Sequence, residues 1–311
     1  MEKVSISVAI GGVILPLILG FVASRYLFGF STEASLVVGL ILVATSVGVT
    51  VRTLLDLHVL SSDVGTTILG SAVIDDIIGI LLLAFVLGTG TPLSIGILTL
   101  KIVAFFFLFL YLGLKIIDRL LDLGDRIHLP KAFLSISLAI FFIYAFFADK
   151  AGIAGIIGAF VAGLLIGHTA KSRKIIDDVK TIGYGFFIPL FFVWVGASLW
   201  QGFIGDLHAL ATIGLLSVVI ISVGIIGKII GCGIGAKLAG MTNRESVQIG
   251  VGMIPRMELA LIIAGVAISH GLLIGQEAIG HQILAATILL TLITTLVTPF
   301  LIKAVFKNNR S

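Results

Sequence analysis

An all-α, polytopic membrane protein is the fold class this sequence predicts, and three observations carry the prediction. Hydrophobic residues make up 59% of the 311 and charged residues only 12%, whereas a soluble domain is roughly 25% charged. The apolar residues fall into runs of about 20, the length that crosses a bilayer as a helix. Lysine and arginine lie between those runs in very unequal numbers on alternate sides, as they do when loops are sorted by a membrane.

Taken in order, ten segments qualify as spans: 4–28, 33–53, 62–88, 93–118, 131–149, 151–169, 181–200, 210–239, 247–270 and 278–306. The first runs well past signal-peptide length and has no small-residue cleavage site, so it reads as a span and not a removed leader. The fifth and sixth are separated only by Asp149 and Lys150. The other linkers are short, and no soluble domain is expected at either end. The glycines of 152–167 are spaced for close helix approach.

Ten spans put both termini on one side. That side collects Lys3, Arg52, Lys115, Arg119, Arg126, Lys131, Lys171, Arg173, Lys174, Lys180, Lys237, Arg244, Lys303, Lys307 and Arg310. The other side has Arg25 and Lys150, while Lys101, Lys228 and Arg256 fall within spans. The excess predicts a cytoplasmic location for both termini. The first three spans and the last three then run in opposite senses. Each triplet has an interrupted middle helix, at Ala44–Gly48 and at Gly250–Arg256. Oppositely oriented triplets with matching broken helices are the pattern of an inverted-repeat secondary transporter.

Composition also excludes. One cysteine, Cys232, rules out an internal disulfide framework. Metal-ligand spacings and a glycine-rich phosphate loop after a strand are missing from the sequence, so no cofactor and no nucleic-acid partner are expected.

Chemistry concentrates at Asp75 and Asp76, adjacent in the apolar stretch 64–87. A charge at bilayer depth costs about 3 kcal/mol or more and marks an ion or proton pathway by default. Neighbours on a helix point about 100° apart, so one acid can meet a helix partner while the other faces a cavity. Lys228, near the middle of the eighth span, is too deep to snorkel and is the natural partner of one of the two. Arg256 and Glu258 sit at the break of the ninth span, where loose backbone groups need partners, so bracing is their expected role and direct contact with the ion the alternative. Thr45 and Ser46 at the other break offer oxygens to a hard cation or to the backbone.

Four stretches, LVATSVGVTVRTLLDL, ILGSAVIDDIIGILLLAFV, FFIPLFFVWVGASL and GVGMIPRMELALIIAG, occur in the order seen in the monovalent cation:proton antiporter family of the Kef and NapA type, which the whole chain resembles. The resemblance implies the inverted-repeat antiporter fold with two crossing broken helices, and exchange of Na+ (or Li+) for H+. It implies core units at 1–90 and 208–308, a linker helix at 93–118 and dimer or panel helices at 131–200. Asp76 would be the principal carrier of ion and proton. Asp75 would pair with Lys228 in a bridge that opens when sodium binds, and Thr45 and Ser46 would lie near the ion. A homodimer in the cytoplasmic membrane, surrounded by lipid, is implied as well. Family members have about two or three further helices before the point where this chain begins, and Met257 stands where a glycine is common. A K+/H+ exchanger on the same scaffold is the nearest alternative. An intramembrane aspartyl protease is a remote one, because its two aspartates must converge from separate helices.

Overall fold

The computed structural model describes residues 2–87, 92–126, 130–151, 155–187, 189–190, 193, 207–269 and 277–307. Regular structure among them is helical. Six helices there are long and apolar enough to cross a membrane: Lys3–Leu27, Thr32–Asp56 with its interruption, Asp63–Leu83, Ala132–Lys150, Ile213–Leu238 and Ala278–Phe306. The chain divides into two compact units, Met1–Val86 with Leu199–Ser311, and Leu87–Ser198.

In the first unit, α1 (Glu2–Leu27) is followed by α2 (Thr32–Val43) and α3 (Gly48–Asp56), the two halves of a broken helix. Ser31 caps α2 by accepting from the Ala34 N–H. α4 (Asp63–Leu87) carries the paired aspartates. Late in the chain come α9 (Leu207–Leu238), the halves α10 (Asn243–Gly252) and α11 (Glu258–Ser269) of a second broken helix, and α12 (Glu277–Phe306). Thr242 and Glu245 form a reciprocal capping box at the start of α10. Val8, Leu54, Ile68, Ala72, Ile249 and Ile302 bring α1, α3, α4, α10 and α12 into one apolar cluster.

α1 and α9 cross with their backbones nearly touching. A Cβ added at Gly11 would lie 2.2 Å from the Gly231 carbonyl oxygen, and one at Gly231 would lie 2.3 Å from the Gly11 oxygen. One turn away, Ser7 Oγ donates to the Gly235 carbonyl at 2.8 Å. Small residues permit this approach where lipid supplies no hydrophobic drive between helices. Gly231→Ala is therefore expected to push the helices apart and cost about 1–3 kcal/mol, an overpacking penalty. Gly214→Ala on the same helix meets nothing within 4 Å and is expected to leave stability unchanged. Thermal melting of both purified variants in detergent checks the pair; equal melting would show that the crossing tolerates a methyl.

The second unit contains α5 (Pro92–Arg126), α6 (Ala132–Lys150), α7 (Gly155–Gly167) and α8 (Ser172–Ile182), the last followed by a π-turn over Gly183–Phe187. Gly158 lies where a Cβ would be 2.1 Å from the Tyr144 oxygen, which seats α7 on α6, whereas Gly163 and Gly167 meet nothing within 4 Å.

Two elements depart from the sequence expectation. α5 continues to Arg126, past the predicted end at 118, because Leu120, Leu121 and Leu123 sustain helical spacing among the charges. The basic stretch around 171–180 is helical as α8, with Ile175, Ile176, Val179 and Ile182 recurring three or four apart. Lys171 pairs with Asp122 of α5 at 2.9 Å, and Lys131 before α6 pairs with Asp178, so α8 is tied to both neighbours. Within the predicted span 181–200, residues 188, 191–192 and 194–200 lie outside the described residues.

Candidate functional site: a buried charge cluster between two broken helices

The first break leaves 44–47 non-helical, and the second leaves 253–257 so. An interrupted helix exposes carbonyls at the end of its first half and N–H groups at the start of its second, and in a water-poor interior each needs a partner. Here each broken helix supplies the other. Arg256, within the second break, donates from Nη2 to the Leu42 carbonyl of α2 at 2.7 Å. Thr50, just after the first break, donates from Oγ1 to the Gly252 carbonyl of α10 at 2.7 Å. Between them, the Ser46 N–H donates to the Pro255 carbonyl at 2.7 Å.

Arg256 is fully buried. Its guanidinium also donates to the Ile254 carbonyl and to the Gly224 carbonyl of α9 at 3.2 Å. Its own N–H donates to Thr294 Oγ1 of α12 at 3.2 Å. One planar fork thus joins α2, the second break and α9, and a positive charge at the C-terminal end of α2 is favoured by the helix dipole. Glu258 begins α11, and its side chain lies outside the described residues. Thr45 is buried, but its hydroxyl reaches Val43 O only at 3.5 Å, so the strong hydroxyl cap of this region is Thr50.

α4 passes beside both breaks: a Cβ at Gly79 would lie 3.6 Å from Leu259 of α11 and 4.0 Å from Val43 of α2. One turn earlier, Asp75 accepts from Lys228 Nζ with both oxygens, at 2.9 and 3.0 Å. Both side chains are wholly removed from solvent. Asp76, the next residue, is partly exposed. The adjacent acids therefore differ in surroundings, one wholly buried on an ammonium and the other partly exposed. Arg256 lies within electrostatic range of Asp75. Cys232, one turn along α9 from Lys228, is fully buried against Gly12, where a Cβ would come within 2.5 Å of its Sγ.

Sequence reasoning singled out neither Thr50 nor Thr294. A threonine shortly after a break is a weak signal for Thr50, and none marks Thr294, whose partner is 38 residues away. Among the described residues no group of three or more His, Cys, Asp or Glu is placed to hold a metal ion. A small cation at Asp76 would therefore complete its shell with carbonyl, hydroxyl or water oxygens.

Comparison with known proteins adds a family. The family model described as "Sodium/hydrogen exchanger, transmembrane" matches residues 1–308. The chain is 37% identical over 308 residues to the Na(+)/H(+)-K(+) antiporter GerN of Bacillus cereus, a match covering 97% of this chain and 75% of that protein. It is 37% identical to the probable Na(+)/H(+) antiporter GerT of the same organism, over 87% of this chain and 71% of the relative. With the Na(+)/H(+) antiporter of Enterococcus hirae it shares 33% identity, over 97% and 76% of the two chains.

Proposed function

This chain belongs to the monovalent cation:proton antiporter family, within its sodium/hydrogen exchangers, and from that premise we propose that it exchanges Na+ (or Li+) for H+ electrogenically across the cytoplasmic membrane. The observation that carries the reading is the sealed Asp75–Lys228 pair with the partly exposed Asp76 beside it.

In this reading Asp76 takes the cation or the proton in turn. Sodium arriving there draws Asp75 into the site and loosens it from Lys228, and the positive charge displaced leaves as a proton. Thr45 and Ser46 lie near the ion, and Arg256 and Glu258 hold the second break. A loaded site has its local charge cancelled and can cross between inward and outward states, whereas an empty charged site resists crossing through desolvation. The energy comes from ion gradients, and no cofactor takes part.

The reciprocal capping by Arg256 and Thr50, and the reciprocal glycine contact of α1 with α9, support an inverted repeat of α1–α4 and α9–α12 within ten spans. The unit containing those helices is then the moving core. The second unit supplies a linker helix, α5, and the panel of a homodimer, with both ends of this chain cytoplasmic. Potassium is the second reading, favoured by the name of one relative, the Na(+)/H(+)-K(+) antiporter GerN; competition between the two ions in a flux assay separates them.

Reconstituted into proteoliposomes with a pH-sensitive dye, Asp76→Asn is expected to abolish sodium-driven proton flux while the protein still folds. A wild-type rate in that variant would remove Asp76 from the site.

A further inference from the structure

Asp75 and Lys228 are sealed from solvent, yet the proposed cycle requires a proton to reach or leave this pair. Asp63, Thr67, Ser71 and Asp75 recur every fourth residue along α4. Steps of four bring side chains about 6 Å apart along the axis, drifting about 40° per step. Asp63 is exposed, Thr67 and Ser71 are fully buried, and Asp75 is the acid of the pair. Ser5 of α1 adds a third buried hydroxyl at this level, with Oγ 3.4 Å from the Thr67 carbonyl. It sits where a Cβ on Gly70 would come within 2.7 Å of it, so the glycine makes room for that hydroxyl.

These hydroxyls are costly among Val64, Ile68 and Ala72 of the apolar cluster. Ser71 Oγ donates to the Thr67 carbonyl at 2.7 Å and keeps its acceptor lone pairs. Thr67 Oγ1 is buried and finds no protein partner among the described residues. By contrast, the buried hydroxyls of Thr287, Thr294 and Thr298 on α12 all donate to carbonyls of their own helix.

The outer end of the series opens on a polar cavity of about 340 Å³ within the same unit, lined by Ser62, Asp63, Thr242, Arg244, Glu245 and Gln248 among others. That volume holds several waters. Hydrogen bonds from the Thr242 N–H and hydroxyl hold the Glu245 carboxyl below its ordinary range, and Asp63 and Arg244 line the same cavity.

We propose that Ser5, Thr67 and Ser71 form a proton route, bridged by water, between this cavity and the Asp75–Lys228 pair, separate from the approach of the cation to Asp76. A proton released from the Lys228 ammonium passes along the hydroxyls to the cavity, and the amine regains one by the reverse path. Around the inner end, the charged or titratable groups on packed elements are Asp76, Arg256 and Cys232; at the outer end they are Asp63, Arg244 and Glu245. The inference rests on the exchange function proposed above.

The test compares Thr67→Val, isosteric but without the hydroxyl, with Thr67→Ser, which keeps it in a smaller side chain. In sodium-loaded proteoliposomes, Thr67→Val is expected to lower the maximal proton flux by about 100-fold, the lower end of the range for a lost proton-transfer group, with the sodium KM unchanged. Adding Ser71→Ala deepens the loss, and Thr67→Ser keeps near-wild-type flux. Packing alone reverses the order, since valine fills the site and serine leaves a void. Wild-type flux in Thr67→Val, or serine as slow as valine, overturns the route. Wild-type protein without sodium-driven proton flux overturns the exchange function instead, so the two failures are distinct. Melting of each variant in detergent reports folding, and if the double variant fails to fold, the Thr67 pair alone decides.

Discussion

Lys228→Met is expected to cost about 3–5 kcal/mol of stability, the penalty for leaving one member of a buried ion pair alone, and Asp75→Asn in the same chain is expected to restore most of it. The asymmetry follows from desolvation. Two charges taken from water lose several kcal/mol each, and their mutual attraction roughly repays that loss. An intact pair therefore adds little net stability, while half a pair is severely unfavourable. Lys228 Nζ contacts both oxygens of Asp75, and neither side chain reaches solvent. Water therefore cannot take over when the ammonium is removed. Methionine fills most of the lysine's volume, which limits a separate cavity penalty. A double-mutant cycle by thermal melting in detergent measures the coupling. Lys228→Met melting with the wild type would mean that Asp75 is protonated or otherwise partnered in the resting protein.

What was legible in the sequence follows a physical divide. Loss of apolar continuity is local, so the breaks at 44–48 and 250–256 lie close to the observed 44–47 and 253–257. Where each helix resumes is settled by partners far along the chain: Thr50 on Gly252, Arg256 on Leu42 and Thr294. Depth alone says that Lys228 needs an aspartate. The choice between two adjacent acids depends on rotation of α4, which an apolar stretch does not encode, and it came from the family resemblance. The contact of Gly11 with Gly231 was hidden among 37 glycines, because no spacing rule selects which two carbonyls meet. α8 was missed because its basic residues suggested a loop, although its isoleucines already had helical spacing.

Arg256→Met is expected to destabilise the protein by about 3–5 kcal/mol and Arg256→Lys by less, since stranded buried acceptors cost about 1–3 kcal/mol each. The arginine is not a salt-bridge residue in the ordinary sense. Its described hydrogen bonds run to the carbonyls of Leu42, Ile254 and Gly224, which belong to α2, the second break and α9. Removal of the fork strands chiefly the carbonyls of Leu42 and Ile254, since that of Gly224 lies inside the continuous helix α9. The end of α2 also loses the positive charge that offsets its dipole. Lysine returns the charge and up to three donors, but from a single point, so it cannot span the same carbonyls. The order of melting temperatures is thus wild type, lysine, methionine. Hydrogen exchange gives an independent reading: in Arg256→Met the Ser46 N–H, bonded to the Pro255 carbonyl, exchanges faster, because the break that presents Pro255 is no longer held. Protection of Ser46 unchanged by Arg256→Met would show that the two breaks hold each other through Thr50 and backbone alone.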